Sequence, residues 1–172
     1  MRIAFDDIPG TGLEVKTTVS SWFPEDVLSS AGPVACSAVL TRDGERVVVE
    51  GAMRLSVSLA CDRCLEQYVQ PIDTTFALDL EWVSDGGDRF APEHSCGDDE
   101  MDVVLLDEPV VDMDSIWQQQ LILSLPVKRV CSEECVGLCP VCGENRNQVR
   151  CDCGHGGGTS PFGVLAQLKR QR

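Results

Sequence analysis

A cysteine-rich segment near the C-terminal end of the chain is the feature that most constrains the fold. Six of the ten cysteines fall between positions 131 and 153, in short pairs separated by glycine and proline. Apart from cysteine, the stretch from Val130 to Thr159 offers only five apolar side chains and no aromatic ring. Such a stretch cannot bury enough apolar surface to offset the entropy lost on ordering. A structural metal, with an apparent binding free energy of about 10–16 kcal/mol, can.

The spacing of these cysteines indicates zinc. Structural Zn²⁺ prefers four soft ligands in a tetrahedron, and a C-x₂-C pair supplies two of them from one tight turn. The run Cys139-Pro-Val-Cys142-Gly143 is typical of a zinc-knuckle turn. We expect it to share one site with Cys151 and Cys153.

A second site requires the upstream pair, Cys61 and Cys64, to join the first two cysteines of the segment across 66 intervening residues. Two Cys₄ sites then use all eight paired cysteines. A single zinc site, His155 in place of Cys153, and iron–sulfur clusters on the same ligands stay open as alternatives. The predicted metal ligands are Cys61, Cys64, Cys131, Cys135, Cys139, Cys142, Cys151 and Cys153.

Catalysis is not indicated. The only two histidines lie in glycine-rich surroundings, and the chain has no G-x-S-x-G, Walker loop or H-E-x-x-H motif. A redox role for Cys61-Asp-Arg-Cys64 is disfavoured because alternating strands flank it, whereas thioredoxin-type pairs begin a helix. The sequence therefore predicts a protein that is not an enzyme and has no small-molecule substrate. It assigns no role to Cys36, Cys96, His94 or His155.

The chain has 172 residues, enough for one domain with a small appended module. No apolar run approaches the roughly 18–20 residues of a membrane span. The first residues turn acidic where a signal peptide would carry its apolar core. We therefore expect a cytoplasmic protein that binds no membrane, in a reducing compartment where close cysteine pairs hold metal.

Negative charge is concentrated in one part of the chain. Residues 73–116 carry fourteen acidic side chains and a single basic one, whereas the remainder is close to neutral. The sequence pI near 4.4 argues against indiscriminate binding to phosphate backbones. A basic partner protein is therefore favoured over naked nucleic acid. A solvated run that only keeps the protein soluble is the alternative.

Two long runs of alternating apolar and polar residues predict a sheet. In the run from Val47 to Leu59, the odd positions form one face, and Gly51 is expected to mark a bulge because thirteen residues is long for an unbroken strand. The next run follows Pro71 and should pair antiparallel with the first, with the C-x₂-C turn near their connection. The residues predicted on one face of this second strand are Phe76, Leu78, Leu80 and Trp82.

Shorter strands are expected at 2–5, 13–19 and 34–40, with a hairpin signal at Asp43-Gly44, and Val103–Leu106 is a short apolar stretch. Asp112 or Asp114 is expected to cap a helix that runs to about Ser124 and ends before Pro126. This helix should present Ile116, Leu121, Leu123 and Leu125 to the sheet. A short helix or turn at Trp22-Phe23 should cover a sheet face with Trp22, Phe23, Val27 and Leu28.

The predicted class is α+β: a mainly antiparallel sheet with long alternating strands, one or two packed helices and a C-terminal zinc-knuckle module. The first domain spans 1–126, with an exposed acidic loop at 84–102. The module spans 127–172. It contains the cysteine segment, a glycine-rich linker at 154–158 and a last helix at 161–170.

This pattern resembles the YceD family, whose members are associated with the accumulation of large-subunit ribosomal RNA. The resemblance covers roughly Val34 to Arg172. Its specific part is the block Gly137-Leu-Cys139-Pro-x-Cys-Gly143-x-Asn-x-Asn147, followed by Cys151-x-Cys153. The acidic loop at 84–102 and the glycine-rich stretch before the last helix depart from the usual family pattern.

The resemblance implies a non-enzymatic factor in assembly of the large ribosomal subunit that promotes accumulation of 23S rRNA. The implied partners are a small basic large-subunit ribosomal protein and 23S rRNA or its precursor. Residues 73–116 would face the basic protein, and the basic side chains of the tail would face rRNA. Alternatively, these basic side chains only keep the protein soluble. A zinc-ribbon regulatory protein that binds nucleic acid directly is the second functional class. The tail residues concerned are Arg146, Arg150, Lys169, Arg170 and Arg172.

Overall fold

Eight strands and one α-helix make up the regular structure of residues 1–18, 21–82 and 103–153, the part of the chain that this computed structural model describes. A 3₁₀ turn at Phe5–Asp7 adds to them. The strands are β1 (Arg2–Ala4), β2 (Leu13–Thr17), β3 (Ser29–Ser30), β4 (Ala35–Asp43), β5 (Arg46–Ala60), β6 (Gln67–Trp82), β7 (Val103–Leu106) and β8 (Val110–Asp112), and the helix is α1 (Met113–Ser124).

The chain divides into two compact units. The first joins Met1–Leu59 with Tyr68–Val127, and the second joins Ala60–Gln67 with the segment that begins at Lys128. The second unit is therefore built from two pieces of chain far apart in sequence. It contains all eight cysteines that the sequence predicts as ligands.

The first unit is built on a mixed sheet in the order β2-β4-β5-β6-β7, with β3 alongside β5. The pairs β2–β4, β3–β5 and β4–β5 are antiparallel, whereas β6 and β7 are parallel, from Asp79 opposite Val103 to Trp82 opposite Leu106. A small second sheet pairs β1 with β8. The prediction of a mostly antiparallel sheet is confirmed, and the parallel edge strand is an addition to it.

The two long strands β5 and β6 run antiparallel, as predicted. Trp82 N–H donates to the Glu45 carbonyl at 3.1 Å, and Arg54 Nε lies 3.1 Å from the Asp73 carboxylate. The late residues of β6 therefore face the early residues of β5. The connection of six residues between them is also far too short for the crossover that a parallel pair needs.

Alternation along β5 places one face of the strand in the core. Glu50 and Arg54, on the opposite face, are exposed. Burial of such a row supplies most of the stability of a half-covered sheet, at about 25 cal/mol for each Å² of apolar surface removed from water. The buried residues of this strand are Val47, Val49, Met53, Leu55, Val57 and Leu59.

The bulge expected at Gly51 is absent from the β4–β5 pairing. Their register runs without interruption from Ala35 opposite Arg54 to Asp43 opposite Arg46. Gly51 serves a different purpose, because a Cβ atom there would lie 2.8 Å from Cε1 of Phe76 and 2.9 Å from its Cε2. The missing side chain makes room for the Phe76 ring, which packs edge-on against Trp117 with centroids 5.6 Å apart.

Helix α1 is capped by Asp112, whose side chain accepts a hydrogen bond from Asp114 N–H at 3.1 Å. The predicted burial of Leu123 is wrong, since its side chain is 75% exposed, and Trp117 is buried instead. At 100° per residue, positions 113, 116, 117 and 121 form one stripe, and Leu123 lies at its edge, in the last turn of the helix. The residues that this helix buries are Met113, Ile116, Trp117 and Leu121.

The turn at Trp22 is confirmed only in part. Trp22, Phe23 and Leu28 are buried in the core, in a turn rather than a helix, but Val27 is 68% exposed. Strand β6 begins at Gln67, before Pro71. Strand β7 pairs only with residues 79–82 of β6, so among the described strands nothing pairs with that edge at Pro71, where proline has no N–H to donate. The acidic loop at 84–102, the linker at 154–158 and the last helix at 161–170 lie outside the described residues. Within the described part, no helix is long and apolar enough to cross a membrane.

Substituting Gly51→Ala should destabilise the first unit by about 1–3 kcal/mol, because the new methyl group overlaps the Phe76 ring. Gly32→Ala is the matched control, since a Cβ at Gly32 meets no described atom within 4 Å. Urea unfolding followed by tryptophan fluorescence measures both. Equal midpoints for the two variants would show that Phe76 yields without cost.

Candidate metal centres

The first cluster consists of Cys61, Cys64, Cys131 and Cys135, whose four sulfur atoms all lie within 4.8 Å of one another. The Sγ atoms of Cys61 and Cys135 are 3.8 Å apart, and those of Cys64 and Cys131 are 3.7 Å apart. A disulfide would bring two sulfurs to about 2.05 Å. Two thiolates on one tetrahedral zinc, each about 2.3 Å from the metal, lie about 3.8 Å apart. The sulfur spacing is therefore that of a metal site.

Two knuckle turns of the same geometry begin the two clusters. In the first, Arg63 N–H donates to Cys61 Sγ at 3.4 Å, and Leu65 N–H donates to the Cys61 carbonyl at 2.9 Å. The fifth residue of this turn, Leu65, has a φ of 63°. Left-handed backbone of this kind costs leucine about 1–2 kcal/mol, since its Cβ crowds the next carbonyl.

The second knuckle repeats these contacts. Val141 N–H donates to Cys139 Sγ at 3.5 Å, and Gly143 N–H donates to the Cys139 carbonyl at 2.9 Å. Gly143 has a φ of 77°, a conformation that glycine adopts without strain. Both turns point backbone N–H groups at the sulfur of their first cysteine.

Hydrogen bonds between distant segments close the first cluster. Asp62 N–H donates to the Arg129 carbonyl at 2.7 Å, and Arg129 N–H donates to Asp62 Oδ2 at 2.9 Å. Arg63 adds a bond from its guanidinium to the Cys135 carbonyl at 2.8 Å, and its own carbonyl accepts Leu138 N–H at 3.0 Å. Together they fix the segment around Cys61 and Cys64 against residues 129–138.

Gly137 permits this approach. Its φ is 78°, and a Cβ atom there would lie 2.8 Å from the Arg63 carbonyl oxygen. Any other residue would therefore push the two segments apart at the point where the thiols meet. Gly143 shares the positive φ, but a Cβ there would meet no described atom within 4 Å.

The second cluster consists of Cys139, Cys142, Cys151 and Cys153, with all four sulfurs again within 4.8 Å of one another. The chain pairs with itself beside it, since Leu138 bridges to Asn145 and Cys139 N–H donates to the Glu144 carbonyl at 2.8 Å. Cys139 is buried, whereas Cys142 is exposed. This cluster lies closer to solvent than the first, where three of the four cysteines are buried.

The electrostatics of both clusters favour a cation. Burial raises the pKa of the Cys61 thiol, but hydrogen bonds from backbone N–H groups of Cys131, Cys64 and Arg63 outweigh it, and the pKa falls to about 6. Backbone N–H groups of Cys142 and Val141 likewise lower the pKa of Cys139 to about 6.

Four of the other thiols, namely Cys64, Cys131, Cys151 and Cys153, have a raised pKa and resist ionising beside these thiolates. The neighbouring Cys142, together with burial, raises the pKa of Cys153 to about 12. The neighbouring Cys135 raises the pKa of Cys131 in the same way. A divalent ion removes the repulsion between sulfurs that holds those protons in place.

Sequence reasoning missed the side chains that surround the thiols. Asn147 donates Nδ2–H to Cys135 Sγ at 3.3 Å, and hydrogen bonds from Asp62 and Arg63 hold the cluster closed. The only sequence signal for Asn147 is its place in the Asn145-x-Asn147 run of the family block. For Asp62 and Arg63, the signal is their position inside a C-x₂-C turn.

The structure brings together all eight thiols that the sequence predicts as ligands, in the two groups of four expected; that they bind zinc stays a prediction. Cys36 is buried in the core of the first unit, where burial raises its pKa to about 11, and it belongs to neither cluster. Cys96, His94 and His155 lie outside the described residues.

A mostly antiparallel sheet, together with a module carrying two tetrathiol clusters, defines a class of sheet protein that could hold two structural metal ions. The chain belongs to the YceD family: residues 49–169 match the family described as "Large ribosomal RNA subunit accumulation protein YceD". The matched region contains both clusters.

Two plant proteins are similar over most of the chain. One is the chloroplastic large ribosomal RNA subunit accumulation protein YCED homolog 1 of Arabidopsis thaliana, 27% identical over 81% of this chain and 49% of its own length. The homolog of the same name in Zea mays is 28% identical over 70% of this chain and 48% of its own length. The chain thus spans about half the length of these relatives. No solved structure matches it.

Replacing Gly137 by alanine should open the first cluster, whereas Gly143→Ala should cost only the strain of a left-handed alanine, about 1–2 kcal/mol. The difference arises because only the Gly137 methyl group would strike the Arg63 carbonyl. Alkylation of thiols followed by peptide mass spectrometry should show Cys61 and Cys135 reacting faster in G137A than in G143A. Identical protection in the two variants would contradict this role for the close approach.

Proposed function

We propose that the chain is a non-enzymatic, zinc-binding factor in biogenesis of the large ribosomal subunit, and that it promotes accumulation of 23S rRNA. The observation that carries the proposal is the pair of tetrathiol clusters inside the region that matches the YceD family. Its role is to bind a small basic ribosomal protein, rRNA precursor or both. Its cytoplasmic location stays a prediction from sequence.

Zinc is the metal that the ligands favour. Four thiolates in a tetrahedral arrangement are typical of structural zinc sites, where no position is left for water or substrate. The metal would give shape to a segment with few apolar residues, since binding free energy is folding free energy in such modules. The eight cysteines of the two clusters are the proposed ligands, four to each ion.

The proposed surface for a basic partner is the acidic run at 73–116. Most of its described carboxylates are already paired within the first unit. Asp73 pairs with Arg54, Asp79 with Arg46, and Glu108 with Arg2, at 3.1, 3.4 and 2.8 Å. Seven other acidic residues of this run, at 84–102 beside one arginine, lie outside the described residues and are the ones proposed to attract a basic partner.

Direct RNA binding is the second candidate. Its support is the two arginines of the cysteine segment, Arg146 and Arg150, which form no ion pair with any residue in the described ranges. Two arginines are too few to outweigh the net negative charge of the protein, so we rank contact with rRNA below contact with a basic protein. Lys169, Arg170 and Arg172, the other basic residues proposed to face rRNA, lie outside the described residues.

The purified protein should carry two zinc ions per chain, and Cys61→Ser or Cys142→Ser should each leave one. Cys36→Ser is the matched control and should retain two, because Cys36 lies outside both clusters. Lowering the pH should release zinc, since protons compete for the thiolates. Native mass spectrometry with elemental analysis at micromolar zinc measures all of these. A wild-type chain with one zinc or none would contradict the two-site proposal.

In a sucrose gradient at low salt, the protein should travel with large-subunit precursors, and replacing Asp98, Asp99, Glu100 and Asp102 by their amides should abolish this. Long-range attraction between the acidic run and a basic partner is the physical reason. Neutralising Asp7, Glu25, Asp26 and Glu50, which are exposed and lie elsewhere, is the control of equal charge change.

Two results would contradict this part of the proposal. One is association that survives loss of the four carboxylates at 98–102. The other is tight binding of the isolated protein to rRNA with a steep dependence on salt, which would favour the zinc-ribbon alternative.

A further inference from the structure

One loop connects the two clusters physically. Residues 143–150 lie between Cys142 and Cys151, so thiols of the second cluster hold both ends of the loop. In the middle of the loop, Asn147 donates Nδ2–H to Cys135 Sγ at 3.3 Å. Cys135 belongs to the first cluster. A side chain positioned by one cluster is therefore bonded to a ligand atom of the other.

The amide of Asn147 is held in one orientation. Its Oδ1 accepts Val136 N–H at 2.8 Å, and its Nδ2 also donates to Asn145 Oδ1 at 2.8 Å. Turning the amide over would set its oxygen against the sulfur and its NH₂ against the Val136 N–H. The surrounding groups therefore select the orientation in which a donor faces the thiolate.

A second contact holds the same loop against the first knuckle. Glu66 Oε1 accepts hydrogen bonds from Gln148 Nε2 at 3.2 Å and Asn145 Nδ2 at 3.4 Å. The carbonyl of Glu66 accepts Cys61 N–H at 2.9 Å, which closes the first knuckle turn. The loop thus contacts Cys135 directly and the turn of Cys61 and Cys64 through Glu66.

We propose that Asn147 is a positioning residue for the first cluster, and that through it metal binding at the two clusters is cooperative. The inference rests on the proposed function, because it requires that both clusters bind metal. A metal ion at the second cluster fixes the ends of the 143–150 loop and places Asn147 against Cys135. The first ion to bind bears the entropic cost of ordering the loop. The second ion then binds to a loop that is already ordered. Linkage makes the effect reciprocal, so each site strengthens the other by the same factor.

Asn147→Asp tests the positioning role. The carboxylate keeps the shape of the side chain and an acceptor for Val136 N–H, but it replaces the donor to Cys135 by an anionic oxygen. Loss of an outer-shell partner typically weakens metal binding 10–100-fold. We expect that loss at the first cluster alone. Arg150→Gln is the control, since it changes the loop charge by the same amount at an exposed side chain.

Cobalt is the probe, because thiolate-to-Co²⁺ charge-transfer absorption reports each occupied site. Titrations use the full chain, with the second cluster disabled by C139S/C142S or the first by C61S/C64S.

Disabling the second cluster should weaken Co²⁺ binding at the first 10–100-fold, and N147D should then add little further loss. Disabling the first cluster should weaken the second by the same factor. The charge-transfer band of the first site should also shift in N147D and not in R150Q.

The outcomes separate the inference from the function on which it rests. A wild-type chain that binds no Co²⁺ or Zn²⁺ would overturn both. Two ions bound with equal affinity in N147D and wild type would overturn the positioning role and the cooperativity through Asn147, but not the proposed metal sites. Equal loss from N147D with and without the second cluster would overturn the cooperativity. Circular dichroism of each variant shows whether the sheet of the first unit is intact, so a folding defect is recognised as such.

Discussion

Hydrogen bonding between residues 62–63 and residues 129–138 is the interaction on which the module depends. It brings together two segments separated by more than sixty residues. Asp62 pairs with Arg129 through both backbone and side chain, and Arg63 holds the chain around Cys135. Four thiols then meet at the spacing of a tetrahedral metal site without any covalent link. Because the segment has few apolar residues, polar contacts hold it together in place of a hydrophobic core, and a metal ion in the cluster could add to them.

The two clusters share one local design but close differently. Each begins with the same knuckle turn, with an N–H directed at the first sulfur and a left-handed residue four positions later. The second cluster closes within a stretch of fifteen residues, Cys139 to Cys153. The first closes only when the chain returns after the whole of β6, β7, β8 and α1. A local site and a long-range site therefore coexist, and the Asn147 loop joins them.

This arrangement separates the tasks of the chain. The sheet of the first unit has its own apolar core, whose buried residues run from Ile3 to Leu121 and include none of the eight cluster thiols. The module has exposed loops and two clusters of four thiols, and each cluster could hold a metal ion. Seven of the fourteen acidic residues at 73–116 fall at 84–102. In the proposed function, the metals keep the module in shape and the acidic loop recruits a basic partner.

Local rules let the sequence predict much of this. The alternation of β5 and β6, the Asp112 cap, the knuckle turns and the grouping of the eight thiols follow from spacing alone. Gly51 and Leu123 were misjudged because both depend on neighbours. The Phe76 ring lies over Gly51, and Leu123 is exposed in the last turn of the helix, at the edge of the stripe that faces the core.

The sequence by itself therefore determined the two long strands and the helix and indicated how the thiols group, since period and spacing are properties of the chain. Only the tertiary structure decided that β7 lies parallel to β6 and that Asn147 reaches Cys135. Those results depend on contacts between distant segments, and no local pattern encodes which distant atoms will meet.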